Sequence, residues 1–148
     1  MATDTLNQNV HFPEDAAPAD IASRALYCNL SDMAAMGAQP WAFTLALTLP
    51  ENNLQWLQAF SQSLAHHAKL NQLQLIGGDT TRGPLAISLT LLGKLDKHGA
   101  MTRNKAVVGD DIYHTGSLGA SACALHALLA ENSNDYWQRC FYQPPSRW

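Results

Sequence analysis

Three aspartates in this chain stand directly beside hydroxyl residues: Asp4 between Thr3 and Thr5, Asp32 after Ser31, and Asp79 before Thr80 and Thr81. Oxygen-only donors of this kind suit Mg²⁺, which takes one or two carboxylates and fills its shell with water and phosphate oxygens. Carboxylates gathered without a cation repel one another, so a metal is the natural way to make such a cluster tolerable. Spacing alone does not bring the three together. Each also has an ordinary reading: Asp4 in a terminal segment, Asp32 as a solvated helix position, Asp79 as a turn residue or helix cap. Gly77 and Gly78 precede Asp79, and paired glycines after a strand let the backbone approach a ligand closely or adopt positive φ. No G-x-x-x-x-G-K-[ST] occurs, so this is not a P-loop.

Other chemistry is poorly supported. Adjacent His66 and His67 point about 100° apart on a helix and cannot readily share a metal. His98, His114 and His126 read as surface residues, whereas His11 shares the polar N-terminal segment with Asp4. Cys28, Cys123 and Cys140 are odd in number and contain no C-x-x-C pair, so they read as small packing residues and not as a disulfide or zinc framework. With no G-x-S-x-G and no Ser-His-Asp or Cys-His setting, no side chain is expected to act as a catalytic nucleophile.

The elements that must position the aspartates are legible from periodicity. Ala2–Phe12 is short and polar. From Ala19 the residues Ala22, Leu26, Leu30, Met33 and Ala34 repeat at helical spacing until Gly37 and Pro40, with Pro18 at a position that tolerates proline. Phe43–Leu49 alternates as a strand, and Asn53 can cap a helix striped by Leu54, Leu57, Ser61, Leu64 and Ala68. Leu73–Ile76 reads as a strand running into the glycines, and Leu85–Leu92 as another. Asp111–Thr115 predicts a further strand, followed by a helix striped by Leu118, Ala122, Leu125 and Leu129. In the tail, Trp137, Cys140 and Phe141 keep helical spacing before Pro144-Pro145. The result is an α/β (α+β layer) chain with a small mixed sheet and helices on one face. Alternating apolar faces at Phe43–Leu49 and Leu85–Leu92 predict self-association.

At 148 residues the chain has the length of about one domain, and 47% hydrophobic against 14% charged residues provides a core. A net charge of −3 argues against a general nucleic-acid partner. No apolar run approaches the roughly 20 residues of a spanning helix, and Met-Ala-Thr-Asp-Thr is no secretory signal, so no membrane association and a cytoplasmic setting are expected.

Thr3-Asp4-Thr5, His11-Phe12, Asn29-Leu-Ser-Asp-Met-Ala-Ala-Met-Gly-Ala38 and Ile76-Gly-Gly-Asp-Thr-Thr-Arg-Gly83 together resemble thiamine-monophosphate kinase. That family belongs to a superfamily with aminoimidazole ribonucleotide synthetase, selenophosphate synthetase and a hydrogenase maturation protein. The resemblance runs from about Ala2 to the end of the chain. It implies an N-terminal ATP-binding domain over residues 1–105, and the opening strand and helix of a C-terminal domain over 106–148. It also implies ATP- and Mg²⁺-dependent phosphorylation of thiamine monophosphate to thiamine diphosphate, and pairing into a homodimer. Carried over by position, Thr3, Asp4, Asp32 and Asp79 fall on magnesium-binding positions. Gly78, Asp79 and Arg103 fall on ATP-contacting positions, and His11 on a substrate-contacting one. Phosphoryl transfer needs positioning and charge neutralisation more than a covalent nucleophile, which suits this equipment.

Four departures stand out. Ala2 replaces a usual serine, Asn9 a usual glycine, Asn104-Lys105 a usual Ser-Gly, and Ala124 a helical glycine. The family's upstream Gly-Asp-Asp and downstream Ser-Asp-Gly segments do not occur in these 148 residues. Two readings therefore compete, the ATP-binding portion of a kinase or a non-catalytic fragment serving only as a dimerising or nucleotide-binding module; a third, a superfamily cousin with another acceptor, is disfavoured by the Asn29–Ala38 and Ile76–Gly83 stretches.

Overall fold

A computed structural model describes residues 1–144. Pro145, with the rest of the end of the unit expected over 106–148, lies outside the described residues. The order is β1 (Ala2–Asn7), α1 (Pro18–Ala35), β2 (Gln39–Leu49), α2 (Leu54–Leu70), β3 (Gln74–Arg82), β4 (Ala86–Lys94), a single 3₁₀ turn at Arg103–Lys105, α3 (Ala120–Leu129) and α4 (Asp135–Tyr142). The four strands form one mixed sheet in the order β1-β4-β2-β3. β4 runs antiparallel to both β1 and β2, and β2 runs parallel to β3. The small mixed sheet and its helical layer agree with the fold class read from the sequence.

Alternation decides which face the helices cover. Leu6, Phe43, Leu47, Ile87, Leu89 and Leu91 are buried together with Ile21, Leu26, Leu30 and Met33 of α1 and Phe60 and Leu64 of α2. Fully burying each such side chain contributes roughly 1.5–3 kcal/mol. Pro18 opens α1 with its fixed φ, and Asn53 caps α2 by accepting a hydrogen bond from the Trp56 N–H at 3.0 Å.

The opposite face of the sheet is neither apolar nor covered. Row by row it carries Thr3, Thr90, Thr44 and Gly77, then Thr5, Ser88, Ala46 and Asp79. Hydroxyls join neighbouring strands there: Thr3 Oγ1 donates to Thr90 Oγ1 at 3.0 Å, Thr5 and Ser88 lie 2.6 Å apart, and Thr48 and Thr81 3.1 Å apart. The reason offered for self-association, bare apolar strand faces, is thus corrected. α1 and α2 cover the apolar face of the central strands, and the bare face is lined by small hydroxyl residues.

Three further expectations change. Ala2–Asn7 is a full strand, hidden in the sequence because Leu6 is its only large apolar residue. The glycines do not turn the chain after Ile76; they lie within β3, which continues to Arg82. Residues 111–115 form no strand and are exposed, since an isolated strand has no ladder to join among the described residues. The apolar stripe expected of α3 is largely bare: Leu118 falls before the helix and, like Leu129, is well exposed, while Ala124 is buried. Ala124 packs with Phe141 and Tyr142 in a cluster separate from the main core. α4 is tied to α1 by Ser23 Oγ donating to the Tyr142 carbonyl at 3.2 Å and by Arg24, whose guanidinium stacks 3.7 Å from the Phe141 ring centre.

Candidate functional site

One line of polar groups follows the seam between β1 and α1. Even-numbered residues of β1 face the helical layer, so Asp4 points towards α1, within electrostatic reach of Asp32 on that helix. Burial, reinforced by the Asp32 charge, raises the Asp4 carboxyl above its usual value, while the charge on His11 opposes the shift. A partly buried carboxyl raised further by an acidic neighbour is relieved by a cation, so the pair is a candidate cation seat. Their donor set, oxygen only and two in number, fits Mg²⁺ better than a softer metal. Among the described residues no group of three or more His, Cys, Asp or Glu side chains could hold a metal, so the remaining ligands would be water and phosphate. The half-buried Cys28 thiol nearby is raised chiefly by burial, which favours its protonated form and its packing role. Cys123, expected to pack, is exposed.

His11 is held by a tight loop after β1. The Asn7 N–H donates to His11 Nδ1 at 3.0 Å, and the His11 N–H donates to the Asn7 carbonyl at 2.9 Å. With Nδ1 accepting, Nε2 is the ring nitrogen left to donate. The loop needs Asn9 at φ 63°, in the left-handed region. Asparagine tolerates that conformation better than most residues do, which accounts for its standing where the resembled family has glycine.

Arg103 lies beyond the other end of the acidic pair. It shares with Asp32 a cavity of about 550 Å³ between the C-terminal end of α1 and the segment after β4. A larger cavity of about 670 Å³ lies between α2 and β3, and Lys69 is its only charged lining residue. It is remote from this chemistry.

Thr3, Gly78 and Asp79 are not brought to this seam. The Thr3 side chain points to the open face, where it bonds Thr90. Gly78 and Asp79 lie on β3, at the far edge of the sheet from β1. Three interstrand steps separate the two edges, about 14 Å. Gly78 has a local reason to be glycine: its φ is 151°, and a Cβ there would sit 1.8 Å from the Leu45 carbonyl oxygen. The β2–β3 pairing has a register irregularity between Phe43 and Thr44, just before the Leu45–Gly78 pair. Asp79 is exposed, and one of its carboxylate oxygens accepts from the Thr80 N–H at 2.8 Å.

A mixed four-stranded sheet under two helices, with an acidic pair at the first strand, defines a class. The model of the AIR synthase related protein N-terminal domain matches residues 1–95, and the chain belongs to that family. Within it, the similarity is to thiamine-monophosphate kinases. The Haemophilus influenzae enzyme is 47% identical over 133 residues, covering 90% of this chain and 40% of its own. The Escherichia coli K12 enzyme is 51% identical over 128 residues, covering 86% and 39%. The crystal structure of the Stenotrophomonas maltophilia kinase superposes with a TM-score of 0.89 at 41% identity, covering 97% of this chain and 48% of that one. AaThiL complexed with AMPPCP and TMP gives a TM-score of 0.90 at 26% identity, covering 98% and 48%. The chain thus spans about 40% of the length of these curated relatives.

Proposed function

We propose that this chain is the first domain of an enzyme that transfers the γ-phosphoryl group of ATP to the phosphate of thiamine monophosphate, yielding thiamine diphosphate. The observation that carries the reading is the Asp4–Asp32 pair, flanked on one side by His11 and on the other by the Arg103 cavity. Residues 1–105 form the ATP-binding domain, and 106–148 begin the next. A reaction that consumes ATP and a phosphorylated vitamin belongs in the cytoplasm.

Mg²⁺ held by Asp4 and Asp32 would neutralise phosphate charge and keep donor and acceptor phosphates in line. Asp4 and Asp32 would hold that cation through their carboxylate oxygens, and Arg103 supplies positive charge for the phosphates from the cavity it shares with Asp32. His11 Nε2–H donates to the acceptor side. The attacking oxygen belongs to the substrate phosphate, so no side-chain nucleophile is needed.

The place of Gly78 and Asp79 calls for a second copy. In a two-fold pair, whatever β1 edge one copy offers, the other offers the complementary β3 edge. Joining β1 of one copy to β3 of its partner would bring the Gly78–Asp79 edge alongside the β1 edge that carries the partner's Asp4. The homodimer therefore completes the site in trans. The direct test is transfer of radiolabelled γ-phosphate from ATP to thiamine monophosphate by the full-length protein, with and without Mg²⁺. Mg²⁺-dependent labelling is expected. Nucleotide binding without any transfer would favour a non-catalytic binding module.

A further inference from the structure

The hairpin of α3 and α4 is attached to the rest of the molecule at one place. Among the described helices and strands α3 packs only on α4, and α4 otherwise reaches only α1. Little apolar surface holds that second contact. The cluster of Ala124, Phe141 and Tyr142 draws its packing from within the hairpin, apart from Ala16. The connection leading in adds no support: residues 101–119 are exposed throughout, and Gly109 and Gly119 take φ of 105° and 81° in open space. Glycines so placed let a connection swing.

What joins α4 to α1 is polar and centred on Arg24. Its guanidinium lies 3.7 Å from the Phe141 ring centre, and one terminal nitrogen donates to the Phe141 carbonyl at 2.5 Å. The neighbouring Ser23 Oγ donates to the Tyr142 carbonyl. A planar fork suits this double task, covering a ring face and bonding a carbonyl beside it. Arg24 Nε is buried and has no partner among the described residues, so the hydrogen bonding of this side chain serves the hairpin.

We propose that Arg24 is a positioning residue: by latching α4 to α1 it sets where the next domain stands relative to Asp32. Asp32 lies about two turns further along the same helix, roughly 12 Å from Arg24, so the latch and that carboxylate move as one rigid body. Freeing the hairpin lets the domain that follows it swing on residues 101–119. Nucleotide binding by residues 1–105 is then kept, while the rate at which donor and acceptor phosphates line up falls. This inference rests on the phosphotransfer reading above, with 106–148 opening the next domain.

The experiment compares the full-length wild type with Arg24→Met and Arg24→Lys. Amide hydrogen exchange is followed over residues 120–142 and, as a reference, over β2 and β4, with steady-state phosphoryl transfer in parallel. Methionine keeps an apolar stem and loses the charge and donors, whereas lysine keeps a cation over the ring. Arg24→Met should raise exchange over 120–142 by about tenfold and leave β2 and β4 within about twofold. It should lower kcat by about tenfold, with KM for MgATP within about twofold. Arg24→Lys should fall between it and wild type in both readouts. Unchanged exchange over 120–142 overturns the latch. An equal rise over β2 and β4 overturns it too, since Arg24 would then support the whole core. Faster exchange with a wild-type kcat overturns the positioning role. Each of those results leaves the phosphotransfer reading standing. A wild type without phosphoryl transfer removes that reading and the positioning role together, while the exchange data still decide the latch.

Discussion

Asp4 and Gly78 occupy the two ends of one row across the sheet, with Leu89 and Leu45 between them in register. The row carries a metal-binding candidate at one edge and a nucleotide-binding candidate at the other, with an apolar pair in the middle. Nothing within one copy moves these ends together without breaking the sheet.

The Asp4 charge is costly in the absence of a cation. Burial and then Asp32 raise its carboxyl, so the folded chain holds that proton more tightly than the unfolded one. Its contribution to stability is therefore present below the ordinary carboxylate range and is lost as pH rises through the raised value. Metal-free Asp4→Asn should be more stable than wild type at pH 7, by about 0.5 kcal/mol given solvent screening. The margin should shrink as pH falls towards 4. With Mg²⁺ and ATP the ranking should reverse, because only wild type gains from the metal. Thermal melts across pH, with and without MgATP, check both halves.

Gly78→Ala should act through the fold before it acts on any ligand. The added Cβ would meet the Leu45 carbonyl at 1.8 Å, where neither backbone can yield cheaply. A destabilisation of roughly 2–4 kcal/mol, read by urea unfolding, is expected. Gly77→Ala serves as the control. Its nearest neighbour would be Thr44 Cγ2 at 4.0 Å, so a loss well under that of Gly78→Ala is expected.

Asn9→Ala should cost about 1–2 kcal/mol for forcing alanine into the left-handed region, and Asn9→Gly should cost little or nothing. Because the loop aims His11, the alanine variant should also raise KM for thiamine monophosphate with kcat less affected. Steady-state kinetics on the two variants separates aim from stability.

Helices α1 and α2 and the central strands are legible in the sequence because large residues recur at helical or alternating spacing, as in Leu26, Leu30 and Met33, or Ile87, Leu89 and Leu91. β1 is not, since Thr3, Asp4 and Thr5 hide an edge strand with little apolar content. The chemistry of Asp4, Asp32 and Asp79 can be read from their hydroxyl neighbours and the family resemblance. Their arrangement cannot. Strand order places Asp79 a sheet-width from Asp4, and strand order is set by pairing between distant segments, which local spacing does not encode. Gly77-Gly78 reads as a place where the backbone approaches a ligand closely or takes positive φ. A close approach between β2 and β3 demands the same residue for another reason. The Asp111–Thr115 pattern has strand chemistry but no partner strand among the described residues.

The most direct test of the shared site is a mixing experiment with two inactive variants of the full-length protein, Asp32→Asn and Asp79→Asn. If each site takes Asp32 from one copy and Asp79 from its partner, a mixed dimer holds one site with both losses and one with neither. Random exchange makes half the dimers mixed, so phosphoryl transfer should return to about a quarter of the wild-type rate. Mixing that restores no transfer, with subunit exchange verified by tagged copies, would contradict the account.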